Sequence, residues 1–432
     1  GAALHRLHAD VVPVQPVKGS TTTPEFSDAR VHPADWATPP FQAVIKDDRL
    51  YGRGTEDDKG PIAAVLVVLR TLRQMGLVPR VQVLAIMGTG EEGDWSGMRR
   101  YVAAKRPPLY AVSVDASYPV VIAEAGFVSW TLGIRRTPAD RVASSVGPKV
   151  VEASAGQFLT QVPGEASMEL VPATGQTQAA LVAQLEPLVA AAVEARGKPF
   201  AAQVTRVRDS DRVRVVARGA SVHSSTADEG ANPVWILGDV VAELRPAPSA
   251  AGKVLELVGS KLSGDHWGEK LGVAYTHPMM GKVLVTPTLI KSTDELVSVG
   301  INMRRPAGRT KEDFDASLDR ALAEAKGSLD LRFEELGRYV GEAAIADLEG
   351  PLVPTLLDIW QRATGQAARA TTIRGGTYAR LFPGAVSFGP SFPGNPYKGH
   401  GPDEYIELEA LAKTTEMILE ATLRLADGAR AP

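Results

Sequence analysis

The stretch "YGRGTEDDKGPIAAVLVVLR", residues 51–70, sets three acids and a lysine directly before a run that is apolar on nearly every side. A helix starting at Pro61 with such a surface is expected to be buried all round, as core. Glu56, Asp57, Asp58 and Lys59 then stand at the mouth of that core. Capping is one reading, because proline suits a first helical turn and negative charge suits that end of the helix dipole. One carboxylate is enough for that, however. Burying several calls for a counter-charge or a metal, and on this stretch alone both readings stand.

Working outward, residues up to about Gly126 alternate strand and helix. Strand-like runs end at His8, Met87 and Asp115, and helices are expected from Pro61 to Met75 and from Ser96 to about Ala104. This is the rhythm of a parallel α/β sheet. It returns late in the chain with a helix at Leu352 to Thr364, a strand at Ala385 to Gly389 and a helix at about Leu408 to Ala426. Between them the pattern changes to paired strands followed by long helices. Hairpins are expected at residues 205–218 and 283–304, helices at 179–195, 233–244 and 311–325. Two strand–strand–helix units suggest a duplicated α+β module inserted into the α/β domain. The division expected is 1–126 and 347–432 for the α/β domain and 127–346 for the insertion, in keeping with a length of 432 residues.

The balance of 47 Lys+Arg against 50 Asp+Glu gives no basic footprint for nucleic acid and no polybasic membrane patch. No apolar run is long enough to span a membrane. With no cysteine, any metal must be held by His, Asp and Glu. The compartment stays open between cytoplasm and, if a leader preceded Gly1, periplasm or exterior.

In an open α/β sheet, ligands bind beyond the carboxyl ends of the strands. The acids gather in those loops: His8 and Asp10 after the first strand, Asp57 and Asp58 before the apolar helix, Glu91 and Glu92 after the strand ending at Met87, and Asp115 after the next. His400 lies in the loop after the strand at Ala385. Capping explains one such loop and not all of them, so their convergence suggests a divalent metal site, with one ion or two.

The motifs "HADVVP", "GRGTEDDKGP", "GTGEEG", "VDASYPV", "SVHSSTADEGANP", "NMRRP" and "GGTYARLFPG…GHGPDEYI" occur in this order along nearly the whole chain. Together they resemble the co-catalytic zinc peptidases: PepV-type dipeptidases, carnosinases, glutamate carboxypeptidase, acetylornithine deacetylase and succinyl-diaminopimelate desuccinylase. The resemblance is strongest to the PepV-like dipeptidases. It implies a parallel-sheet catalytic domain with an inserted α+β lid, and hydrolysis of short peptides, foremost unblocked dipeptides. The implied cofactors are two divalent ions, zinc by default and manganese or cobalt as alternatives.

Position by position, the resemblance implies one ion on His8 and Asp115, the other on Glu92 and His400, and Asp57 bridging both. Glu91 would be the general base and Asp10 would orient His8. His223 would polarise the scissile carbonyl from the lid, Arg304 would hold the substrate carboxylate with Arg305 as the alternative, and Gly375, Gly376 and Thr377 would lie beside the substrate. The peptide after the bridging acid, Asp57–Asp58, would be cis. Three ligand carboxylates leave two divalent ions one excess charge, which a bound hydroxide neutralises. As neighbours in a strand, Glu91 and Glu92 point apart, which suits one binding metal while the other faces the water. His5, three residues before His8, competes with it as a ligand, but the "HADVVP" match fixes the register on His8 and leaves His5 a structural role; His32, His266 and His277 receive none.

Glu56 stands where relatives carry a small or apolar residue, and it would line the site with negative charge that favours a free α-amine. Arg374 replaces a common glycine. The roughly two hundred lid residues imply a monomer acting on a small peptide. The rival readings are a carboxypeptidase or N-acyl amino acid deacylase on the same scaffold, and an inactive binding protein of the same fold. A phosphate-binding reading of "GRGTEDDKG" fails, since no Lys-Ser or Lys-Thr follows the glycines.

Overall fold

The computed structural model describes residues 2–8 and 36–427, the first of these segments through its backbone. The chain forms two compact units, one of residues 1–124 with 344–432 and the other of residues 125–343.

The first unit is built on a seven-stranded sheet. Its parallel centre places Ala2–His8 between Gln82–Gly88 and Tyr110–Ser113, with Val386–Ser387 parallel to the latter. The sheet is not parallel throughout: Val120–Glu124 runs antiparallel to Val386–Ser387 and Ala344–Ile345, yet parallel to Ala370–Ile373. Because the central strands share one direction, the loops at their carboxyl ends emerge at one edge. The helix Leu352–Thr364 packs Trp360 against Tyr118, rings stacked 5.1 Å apart, and Phe388 and Phe392 close the cluster.

The helix expected from Pro61 runs Lys59–Gln74 and does not lose every side to the core. Ala64, Val65, Val68 and Leu72 pack on Val114 and on Ile418 of the helix Leu408–Ala426, while Leu66 and Val67 are 47% and 51% exposed. Val and Leu at successive positions project over more than one face, and the core beside the helix Leu408–Ala426 takes only the stripe at spacing three and four. The capping reading also gives way, since Asp58 occupies the N-cap without a side-chain capping bond.

A small antiparallel sheet joins Val44–Lys46, Arg49–Tyr51 and Tyr405–Glu407. Its register sets Tyr51 opposite Tyr405. That pairing places residues 52–58, which leave one strand, beside residues 398–404, which enter the other.

The second unit is an eight-stranded sheet whose neighbouring strands all run antiparallel, in the order Ala201–Arg206, Val213–Arg218, Glu165–Val171, Lys149–Ala155, Leu284–Ser292, Leu296–Arg305, Gly126–Arg135, Phe333–Val340. The helices Gln178–Arg196, Val234–Leu244, Ala250–Leu257 and Lys311–Ser328 bury their apolar stripes with the sheet residues of one continuous core. Thr177 and Thr310 cap two of these helices by accepting from Ala180 N–H and Asp313 N–H. Residues 302 and 304, two apart on a strand, share one side of the sheet; Ile301 and Met303 enter the helix-covered core on the other.

Candidate metal centre

Three loops of the first unit bring Asp57, Glu92 and His400 together so that one ligand atom from each lies within 4.8 Å of the others. His400 Nε2 stands 3.0 Å from Asp57 Oδ2 and 3.0 Å from Glu92 Oε1. Burial works against a charged imidazole here, but Glu92 and Asp57 outweigh it and hold the His400 pKa well above its ordinary value. In effect the imidazolium supplies the positive charge that the carboxylates require. A divalent cation meets the same demand with the same donors, two carboxylate oxygens and one imidazole nitrogen, a set suited to zinc, manganese or cobalt. The residues present therefore fit the metal.

Around them the loop acids have separate tasks. Glu56 is held within the fold, its carboxylate accepting from Lys398 N–H and Ser391 Oγ, both at 2.8 Å, and its charge acts on Tyr397. Burial raises its pKa against those two donors. Tyr397 donates its hydroxyl to Asp57 Oδ2 at 2.6 Å. Glu404, fully buried, accepts from the backbone N–H groups of Gly54, Glu56 and Asp57 and from Arg53. Burial pushes its pKa up to about 7, opposed by the Gly54 N–H and the Arg53 guanidinium. The Asp57–Asp58 peptide is cis.

Glu91 and Glu92 are half-buried and lie in a turn, since the strand Gln82–Gly88 has already ended. The strand alternation expected of them therefore does not apply to this turn. The glycines of "GTGEEG" release the strand at this point: a Cβ on Gly88 would lie 2.3 Å from the ring of Tyr378, whose hydroxyl accepts from Gly90 N–H at 3.3 Å. The Glu91 carbonyl accepts from the Trp95 indole, and Trp95 packs edge-on to Tyr378.

Asp115 follows the strand Tyr110–Ser113, outside the three-residue cluster, and its charge acts on Glu124. Thr377 turns its hydroxyl to Glu124 Oε1 at 2.6 Å, so that side chain is committed within the fold. A Cβ on Gly376 would meet Arg380 and the Trp95 ring, whereas Gly375 has more room. His8 pairs through its backbone with Gly88. Its side chain, that of His5, and the whole of Asp10 and His32 lie outside the described residues.

In the second unit His223 Nδ1 lies 2.6 Å from Ser225 Oγ. Arg304 donates to Ser224 Oγ at 2.7 Å and lies over the Phe127 ring, so His223 and Arg304 adjoin through Ser224. Arg305 is otherwise engaged, donating to Glu342, the Gly341 carbonyl and the Arg309 carbonyl. Asn302 is fully buried, and neither atom of its amide has a hydrogen-bond partner among the described residues. Sequence reasoning missed Arg53, Glu404, Tyr397 and Asn302. Arg53, Glu404 and Asn302 lie inside conspicuous motifs, but Arg53 and Glu404 bind backbone across a loop and the Asn302 amide has no partner among the described residues, so none carries a chemical signature of its own.

The chain matches the model of peptidase family M20/M25/M40 over residues 4–424 and belongs to that family, as a metallopeptidase. "Putative dipeptidase YtjP" of Bacillus subtilis is 28% identical over 404 residues, spanning 92% of this chain and 81% of that protein. Human carnosine dipeptidase 1 has a similar fold, with a TM-score of 0.53 and 12% identity over 99% of this chain and 80% of that one. The dipeptidase Dug1p of Saccharomyces cerevisiae gives a TM-score of 0.53 at 11% identity, over 100% of this chain and 80% of that one.

Proposed function

We propose that this chain is a dipeptidase that cleaves unblocked dipeptides at a centre for two divalent cations. The observation that carries the reading is the cluster of Asp57, Glu92 and His400. In this reading Glu92 and His400 would hold one ion, His8 and Asp115 the other and Asp57 both, with Asp10 orienting His8. Bound cations supply Lewis acidity, which polarises a carbonyl and lowers the pKa of water. Glu91 accepts the proton of the attacking water and delivers it to the departing amine. His223 donates a hydrogen bond to the carbonyl oxygen as negative charge develops there. Arg304 receives the substrate's terminal carboxylate with its two-pronged guanidinium. The backbone at Gly375, Gly376 and Thr377 flanks the substrate.

The link through Ser224 supports a ruler. If the group that holds the carboxylate adjoins the group that holds the scissile carbonyl, one residue fits after the cut. That favours an exopeptidase, and the chain acts as a monomer. The test compares Ala-Ala, Ala-Ala amide, Ala-Ala-Ala and N-acetyl-Ala at equal concentration. Ala-Ala is fastest in this reading, and Arg304→Ala lowers its rate far more than that of the amide. Faster turnover of N-acetyl-Ala replaces the dipeptidase with a deacylase; equal rates for Ala-Ala and its amide remove the carboxylate clamp.

A further inference from the structure

The two loops carrying Asp57 and His400 are tied to each other twice, in opposite senses. Arg53, on the Asp57 loop, reaches across and donates to the carbonyls of Gly399 and Gly401, the residues on either side of His400. Glu404, on the His400 loop, reaches back: its Oε1 accepts from Glu56 N–H at 2.9 Å and Asp57 N–H at 3.0 Å, and its Oε2 from Gly54 N–H at 2.8 Å. The two side chains pair with each other at 2.7 Å, and both have 0% exposure. Every acceptor position of the carboxylate is then used. The loop can present its N–H groups to a single carboxylate because Gly54 adopts a φ of 91°, which glycine tolerates.

We propose that Arg53 and Glu404 are a reciprocal positioning pair, each fixing the backbone of the loop that carries the other's neighbouring metal ligand. A buried ion pair is poor evidence for stability alone, because desolvation offsets much of its attraction. What this pair does supply is register. Asp57 and His400 are 343 residues apart in sequence, a separation read from their numbers, and their spacing decides whether one cation can meet both. Neither residue touches the ligand atoms of the cluster, so neither is catalytic. Outer partners of metal ligands typically change metal affinity by about 10–100-fold.

The inference rests on the metal-centre reading above, and the experiment separates the two. Zinc is titrated into metal-free full-length protein against a chromophoric chelator, for wild type, Glu92→Ala, Glu404→Gln and Arg53→Lys, with circular dichroism recorded on each sample. Wild type binding zinc and Glu92→Ala losing it upholds the centre; no zinc on wild type, or unchanged binding by Glu92→Ala, removes the centre and the pair with it. With the centre upheld, folded Glu404→Gln is expected to bind zinc at least about tenfold more weakly than wild type. Arg53→Lys keeps the charge but lacks the fork that spans the two carbonyls, and the same weakening is expected. Either folded variant binding zinc as wild type does overturns the proposal, even if its melting temperature has dropped, because a merely structural pair lowers stability and leaves affinity alone. Should Glu404→Gln fail to fold, Arg53→Lys decides.

Discussion

Glu124 offers a quantitative test of how burial and the Thr377 donors set the pKa of a carboxyl in the first unit. It ends the strand Val120–Glu124, fully buried, and accepts from Thr377 N–H at 3.0 Å and Thr377 Oγ1 at 2.6 Å. Burial raises its pKa from 4.5 to about 7, with Arg380 and the Thr377 donors opposing and Asp115 adding to the rise. The folded state therefore binds this proton more tightly than the unfolded state does. Its contribution is fully present below about pH 4.5 and is lost as pH rises through about 7. A difference of about 2.5 units at 1.36 kcal/mol each makes the loss about 3 kcal/mol at most. Glu124→Gln has no proton to lose and keeps one carbonyl oxygen for Thr377. Urea titrations of metal-free protein at pH 5, 6, 7 and 8 measure the effect. Wild type should lose stability across this range relative to Glu124→Gln, with the two lying within about 1 kcal/mol of each other at pH 5. Parallel pH profiles for the two proteins would refute the assignment.

Glu91→Gln should retain metal, measured by elemental analysis, and lose about two to four orders of magnitude in turnover, whereas Glu92→Ala should lose metal as well. Gly88→Ala drives a methyl into the Tyr378 ring, which should cost about 1–3 kcal/mol in chemical denaturation and lower turnover through the displaced Glu91 turn. Asn302→Leu replaces a buried amide that has no partner among the described residues. It should leave stability equal or higher, since an unsatisfied amide costs about 1–3 kcal/mol, while raising KM for Ala-Ala, because residue 302 shares the strand side of Arg304.

Much of this was legible in the residues because the chemistry and the periodicity are local. The helices Ser96–Ala104, Leu352–Thr364 and Leu408–Ala426 follow from apolar spacing, and the acids announce themselves at strand ends. Other features depend on partners distant in sequence. The strands Lys149–Ala155 and Glu165–Val171 carry Lys, Glu and Ser among their apolar positions, and their pairing is set by neighbours as far away as Leu284–Ser292. Leu66 and Val67 read as core because hydrophobicity alone does not say which face meets the sheet. Nothing in the sequence shows that Lys398 N–H and Ser391 hold the Glu56 carboxylate in place. Arg53 and Glu404 belong to the same class: each is an ordinary charged residue until the other loop stands opposite.

Asp57, Glu92 and His400 converge as a cation site, and anomalous X-ray diffraction from crystals soaked in zinc locates the ion itself. An anomalous peak at the zinc edge is expected about 2.0–2.2 Å from a carboxylate oxygen of Asp57, one of Glu92 and an imidazole nitrogen of His400. A peak lying away from these three residues, or none at all, would contradict this cation site.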